Sequence, residues 1–566
     1  MKHFIILALL LLTPFISFGQ KKYPTKDFRN PLDITTVLAG TFGELRTNHF
    51  HSGIDIKTKR KEGLNVYAAA DGYISRIKVA LWGYGKVIYV DHPNGYTTVY
   101  AHLSKFGKGI ESYVKTVQYK KQQYETGNIF PEKGEIPVKK GQVIGFSGST
   151  GGFVAPHLHY EVRDTKTEKI INPLLFGIKV KDTIPPKIKG LFVYPLQDSS
   201  RISNSNKKRL LPFKSIKNNT FITDRIMANG AIAFGLQVYD KLNGANNKNG
   251  IYSLLVKVNG HKVYHHTLET FSFKNSKHLN LLIDYPQYAR FKSKFQRTFK
   301  EKGNQLKIYK TLLNNGFINI KNGYNYNVEI IASDFKGNST TIKIPVKGVK
   351  NNSVFSQEKD TTAYKVITTQ FHKFEKNGVT IAFPKNTFYN DVYLDFSVQN
   401  GVAKIHTPNI PLNKSYTLTF DVSKYNEADR KQLYIANINN NKYPNYQNTR
   451  KKENTFYTTT KTLGRYTLKS DNQKPIIKIK DFVNKQWISK LSNLRVQIAD
   501  KGTGIKSFRA TIDNEWILME YNLKKKTLTY DFSDKKLVGA KHVFYIEVED
   551  NVGNTNSLSA TFYKKQ

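Results

Sequence analysis

Residues 48–55, NHFHSGID, and residues 147–163, SGSTGGFVAPHLHYEVR, bring four histidines and an aspartate into two short stretches. In an extended strand successive side chains point to opposite faces, so residues two or four apart share a face. Read that way, His51 and Asp55 face one ion from one strand while His157 and His159 face it from a neighbour. Three nitrogen or oxygen ligands with one open position make a catalytic zinc site, whereas a closed set of four makes a structural one. The two stretches therefore predict a β-sheet built around a hydrolytic zinc centre.

Working outward, residues 21–178 consist of short alternating runs such as GKVIYVDH (85–92) and YTTVYAHL (96–103), separated by Gly and Asn-Gly turns, the pattern of an antiparallel β domain. The Asn-Pro of NPLLFG at 172–177 closes it. Within it, residues 107–137 break the alternation. Apolar or aromatic residues at 110, 113, 114, 117 and 124 have a spacing close to helical and predict a helical insertion on the sheet.

The paired prolines of DTIPPKIKG (182–190) read as a stiff linker, and the chain beyond them is β throughout. Residues 236–260 and 496–514 share one order: a strand, an Asp, a Gly-rich turn, a Gly-Ile pair and a second strand. Each is succeeded by a further matching pair, at 328–346 and 545–563. This predicts a repeated β-sandwich module. The first copy has room for an insertion, which residues 285–311 fill as a basic segment with a helical pattern. Residues 351–470 supply the strands of another sandwich-like module. The fold class is mainly β. An antiparallel zinc-site domain at 21–178 precedes about three immunoglobulin-like sandwich modules at 185–350, 351–470 and 471–566.

Residues 1–19 place Lys2 and His3 before an apolar run that ends in small residues, the layout of a secretory signal peptide. Pro14 interrupts the run, which is shorter than the ~20 residues a membrane span needs. The mature chain is thus expected to lack a transmembrane segment and to be exported to the periplasm or cell envelope, or secreted. With no cysteine, no disulfide staples the chain and each module must be stable by burial alone. The 88 Lys and Arg exceed the 43 Asp and Glu by 45 charges. Residues 21–178 carry a net +9 and residues 179–566 a net +35, so the tail is the part that attracts anionic wall or envelope polymer. A lysine- and asparagine-rich composition along the whole chain accounts for much of that excess. No nucleic-acid partner is expected.

The lack of cysteine and of a Gly-x-Ser-x-Gly elbow near a histidine tells against nucleophilic serine or cysteine chemistry. GSTGG at 148–152 lacks the Gly-Lys-Ser/Thr that holds phosphate. HSGID (51–55), YAHLS (100–104), KKGQVIGFSGSTG (139–151) and PHLHYEV (156–162) together resemble the lysostaphin-type (LytM) zinc metallopeptidases, over about residues 40–176 and in the family's order. The resemblance implies an endopeptidase acting on peptidoglycan peptide stems. By the same resemblance His51, Asp55 and His159 are zinc ligands, while His102 and His157 are catalytic histidines beside the metal. The insertion at 107–137 departs from the short turn of that family.

His49 forms its own His-x-His pair with His51, but the resemblance favours His51, which stands four before Asp55 as in the family's pattern. His92, His261, His265, His266 and His542 read as packing or surface residues. Trp82, Tyr84 and Tyr100 read as strand aromatics before they read as a glycan-binding wall. Asp240 with Asn243, Asn246 and Asn247 reads as a polar turn, because the glycine and closing glutamate of a helical calcium loop are misplaced. Two other classes of function compete with the enzyme: a catalytically weak regulator of other wall hydrolases, and a wall-binding sandwich scaffold. The full set of five site residues favours the enzyme.

Overall fold

Alternating apolar residues write the sheets of this chain directly. In Ser339–Gly348 and Lys541–Asp550 every second residue is buried, Ile342, Ile344 and Val346 in one and Phe544, Ile546 and Val548 in the other. The structure, a computed structural model, describes residues 23–152, 155–350 and 361–565. The expected signal peptide lies outside the described residues. Among the described residues no helix is long and apolar enough to cross a membrane.

The head contains strands β1 (Leu38–Gly40), β2 (Ile54–Lys57), β3 (Asn65–Tyr67), β4 (Gly72–Val79), β5 (Lys86–Asp91), β6 (Tyr96–Leu103) and β7 (Lys105–Phe106). Helix α1 (Lys108–Lys121) comes next, then β8 (Gly127–Ile129), β9 (Pro137–Val138), β10 (Val143–Phe146), β11 (His157–Asp164) and β12 (Ile170–Ile171). The main sheet runs β1-β2-β11-β6-β5-β4-β8, and a small one runs β3-β10-β7. Strand β11 sits centrally, antiparallel to both β2 and β6. It is buried along almost its whole length, which is why HLHYEVR can hold polar side chains away from bulk water.

The head is not closed on itself. Strand β12 pairs with Thr270–Phe271 of the next module, and Phe271 packs against Phe42 and Phe50 at ring separations of 4.8 and 5.2 Å. Leu268, Leu279, Leu282, Leu306, Ile308 and Leu518 join the head's own core. The segment 285–311 is helical only over Tyr285–Phe291. Beyond it Phe295 and Phe299 bury against Phe192 and Tyr194, while Leu306 and Ile308 enter the head's core, so packing of these four residues overrides the helical pattern.

In the first tail module the 14-residue strand Ile226–Tyr239 pairs antiparallel with Lys187–Pro195 and parallel, at its start, with Ser339–Gly348. That strand joins both layers into one curled sheet around a core that includes Phe234, Leu254 and Ile344. The next module has two five-stranded sheets, and the last a four-stranded and a five-stranded sheet. The last module folds back onto α1. Tyr119 meets Trp516 edge to face at 5.2 Å, Lys115 pairs with Asp534, and Arg509 donates to Gln122 Oε1 at 2.6 Å. The insertion at 107–137 therefore provides the dock for the end of the chain.

Candidate metal centre

Register brings the head's polar residues together. Asp55 on β2 lies directly opposite His159 on β11, and Ala101, next to His102, lies opposite His159 on the other side. Cross-strand neighbours of this kind are within side-chain contact. His51 is not in the strand with Asp55; it precedes β2 in a loop whose backbone pairs with Gly43 and Glu44. His51, Asp55 and His159 form one buried group able to hold a metal ion.

The geometry of that group is a triangle. His51 Nε2 lies 3.0 Å from Asp55 Oδ1 and 3.1 Å from His159 Nδ1, and His159 Nδ1 lies 2.9 Å from Asp55 Oδ1. Ligands about 2.0–2.2 Å from a tetrahedral ion stand roughly 3.3–3.6 Å apart, close to these edges. The outer nitrogens fix the tautomers. His51 Nδ1 donates to the Thr41 carbonyl at 2.8 Å, and His159 Nε2 donates to Glu161 Oε1 at 2.9 Å. With the outer positions so occupied, His51 Nε2 and His159 Nδ1 are the ring atoms that face Asp55 Oδ1; burial opposes charge on His159, but Asp55 and Glu161 raise its pKa to about 9, so a proton holds the place that a cation would take. The donor set fits a metal.

His102 and His157 flank the triangle. Their rings lie 4.8 Å apart, and His157 Nε2 is 3.5 Å from Asp55 Oδ1. Each donates its Nδ1 proton to a carbonyl, of Thr150 and Ala155 respectively, both at 2.8 Å. That leaves Nε2 of each ring as the atom available for proton exchange. His102 adopts φ 62°, a left-handed conformation unusual for a strand residue, at the irregular end of the β5–β6 ladder. Burial, with His159 and His157 adding to it, pushes its pKa down to about 3, so the ring stays neutral.

Four supporting residues are not evident from the sequence motifs. Arg46 donates to Asp55 Oδ2 at 3.2 Å and to Glu44 at 3.1 Å. Glu161, fully buried, takes His159 on one oxygen and Arg163 on the other, with Tyr84 donating to it at 2.5 Å. Burial would raise the Glu161 pKa, but Arg163 and His159 hold it well below the ordinary range. Second-neighbour partners of this type lock ligand orientation. The signal was present for two of them, because His157, His159, Glu161 and Arg163 alternate on one face of β11. Gly40 has a steric reason: a Cβ there would stand 2.6 Å from Asp55 Oδ2 and 2.7 Å from Arg46.

His49 is exposed and bonded to the Thr47 carbonyl, outside the group. Tyr100 is fully buried, with its hydroxyl accepting from the Ala69 N–H, so it lines no groove. His92, His266 and His542 are buried packing residues.

A buried His-Asp-His triangle on a β head, flanked by two further histidines, defines a metallopeptidase type of centre. Residues 49–119 match the family described as Peptidase family M23, and residues 363–471 match the Zu5-like domain. The N-terminal region is a Peptidase family M23 domain of the LytM type. The chain is 39% identical over 119 residues to the DD-carboxypeptidase/endopeptidase Mpg of Neisseria meningitidis serogroup B, covering 21% of each protein. It is 29% identical over 143 residues to the peptidoglycan DD-endopeptidase ShyA of Vibrio cholerae, covering 25% of this chain and 26% of that protein. The chain thus spans about a fifth to a quarter of the length of these relatives. Among solved structures, the catalytic domain of lysostaphin from Staphylococcus simulans is similar at 25% identity, over 25% of this chain and 93% of that one, with a TM-score of 0.19.

Proposed function

We propose that this chain is an exported zinc endopeptidase that hydrolyses peptide cross-links of peptidoglycan and acts in remodelling of the cell wall. The observation that carries the reading is the convergence of three ligand atoms, of His51, Asp55 and His159, beside two further histidines whose Nε2 atoms are not tied to a carbonyl. His51 Nε2, Asp55 Oδ1 and His159 Nδ1 would hold the zinc, which when bound lowers the pKa of a water to about 7. His157, next to Asp55, accepts the proton of the attacking water. His102, neutral and anchored through Nδ1 to the Thr150 carbonyl, has only an acceptor at Nε2 and would orient the attacking water, while the proton that His157 takes up would pass to the departing amine. Arg46 and Glu161 hold Asp55 and His159 in place.

A cleft beside Asp55 and His157 is lined by Arg46, Lys57, Lys59 and Arg60, which suits a peptide that carries free carboxylates. A second cleft, between Ser149–Gly152 and the tail segment 520–525, continues on the other side of Pro156. We assign the chemistry to residues 21–178 and a localising role to the modules at 185–350, 351–470 and 471–566. Digestion of purified peptidoglycan by the zinc-loaded full chain, with mass analysis of the fragments, tests the reading. New amine and carboxyl ends at a single cross-link type are expected. An intact digest under conditions where the metal is bound would leave the regulator or scaffold reading in its place.

A further inference from the structure

Two clusters of aspartates lie outside the head's centre, and they are built alike. Asp182, Asp240 and Asp334 each bring a carboxylate oxygen within 4.8 Å of the others, and so do Asp471, Asp500 and Asp550. In each module the first Asp precedes the opening strand and the second comes just after a core strand. The third begins an Asp-x-x-Gly-Asn turn, at 334–338 and 550–554. The hydrogen bonds repeat as well. Asn338 Nδ2 donates to Asp334 Oδ2 at 2.7 Å and to the Asp182 carbonyl at 3.3 Å. Asn554 Nδ2 donates to Asp550 Oδ2 at 2.8 Å and to the Asp471 carbonyl at 2.9 Å.

A second observation points to a ligand. Asp240 is 2% exposed, yet its Oδ1 has no hydrogen-bond partner. Asn249, also 2% exposed, has no partner at either side-chain atom, and it pairs with Asp240 across an antiparallel bridge, which puts both side chains on one face. In the last module Asp500 Oδ1 and the buried Thr503 Oγ1 are likewise without partners. Thr503-Gly504-Ile505 occupies the place of Asn249-Gly250-Ile251. Unsatisfied buried oxygens are rare and costly, and here they recur at matched positions.

The electrostatics agree. Burial pushes the Asp240 pKa up to about 8, and Asp182 and Asp334 push it the same way. Burial also raises Asp182 to about 6 and raises Asp500. Among the described residues, no lysine or arginine forms an ion pair with any of the six.

We propose that each aspartate triad, completed by Asn249 or Thr503, is a calcium site. The donors are all oxygens, which selects a hard cation over zinc. Three carboxylates with a further amide or hydroxyl oxygen from the protein suit Ca2+, which takes six to eight oxygen ligands in flexible geometry, better than Mg2+, which keeps several waters and uses one or two carboxylates. Both sites lie at junctions. At the first, Gly250 N–H donates to Thr41 Oγ1 at 3.2 Å, and the Thr41 carbonyl in turn holds His51. At the second, Asp471 N–H donates to the Gln432 carbonyl of the preceding module at 3.0 Å. Calcium therefore fixes both modules in place, the first one behind a residue of the metal centre.

The test uses the full chain stripped of metal and titrated with Ca2+ alone, read by calorimetry and by thermal midpoint. Two ions per chain and a higher midpoint are expected, with Mg2+ a poor substitute. Asp240→Asn and Asp500→Asn should each reduce the count to one, with circular dichroism confirming that each variant is folded. If either variant fails to fold, terbium luminescence excited through tyrosine in the wild-type chain, displaced by Ca2+, supplies the count. No bound calcium at millimolar concentration overturns the proposal. So does an unchanged count in both variants, or a midpoint that responds only to pH, which would show that the triads hold shared protons.

Discussion

Lys86 and Glu520 stand 434 residues apart in the chain and form an ion pair of 2.8 Å. The Lys86 side chain is 4% exposed and also donates to the Ser104 carbonyl at 3.1 Å. A buried ammonium is costly unless paired, and burial alone would depress its pKa; Glu520 together with Tyr124 and Glu111 offsets that and raises it. Among the described residues, the head thus contains a buried charge whose ion-pair partner comes from the tail, with Tyr124 and Glu111 of the head adding to its stabilisation. Glu520→Gln should destabilise the docked tail by about 1–3 kcal/mol, less than for a wholly buried pair because Glu520 is 41% exposed. Denaturant midpoints and faster proteolysis of the last module would register it. Lys86→Met combined with Glu520→Gln should recover most of the loss, since neither charge is then stranded. A Glu520→Gln chain as stable as wild type would mean that the pair contributes nothing.

The metal assignments separate by content. His51→Ala and His159→Ala each remove one of three ligands and should lose both metal and activity. Metal analysis of the purified variants decides the point, and full occupancy in both would sink the assignment. Glu161→Gln keeps the shape but weakens the hold on His159. Its metal affinity should fall about 10–100-fold, as for other partners that orient a ligand.

His102 and His157 should behave differently from the ligands. Neither belongs to the converging triangle, so His102→Ala should retain the metal while its rate falls by about 10²–10⁴, the contribution of a positioned acid or base. His157→Ala should do likewise. Loss of metal from either variant would move that residue into the ligand set.

Much of the site was legible from residue order, and the misses have physical causes. The alternation of β11 gave its face, and the chemistry of histidine and aspartate pointed to a metal. Arg46 was invisible because its partners Glu44 and Asp55 meet it through a loop and not through a period. The helical pattern of 285–311 fails after Phe291 because Phe295, Phe299, Leu306 and Ile308 gain more by packing onto two different cores. Asp240 reads as a polar turn when taken with its neighbours in sequence, whereas its neighbours in space, Asp182 and Asp334, come from a linker and a distant strand end. The last module's return onto α1 had no local signal, since partners such as Lys115 and Asp534 stand 419 residues apart in the chain.

The charge of the tail should govern contact with the wall. Residues 179–566 carry +35 of the +45, so binding to anionic wall or envelope polymer should depend on the tail and weaken steeply with salt over a screening length of ~8 Å at physiological strength. Cutting the chain at residue 178 is a poor test, because it would uncover Phe42 and Phe50 where Phe271 now packs. Charge removal in the full chain avoids that. Within 285–311, Lys294 is tied to the Leu45 carbonyl and Arg297 to Glu301, but Arg290, Lys292, Lys302 and Lys307 are exposed. Changing these four to glutamine should reduce retention on intact sacculi several-fold at low salt and leave cleavage of soluble muropeptides unchanged, because none of them lies in the metal centre. Equal retention of variant and wild type across a salt series would show that this segment's charge is composition, and that the wall is met elsewhere on the molecule.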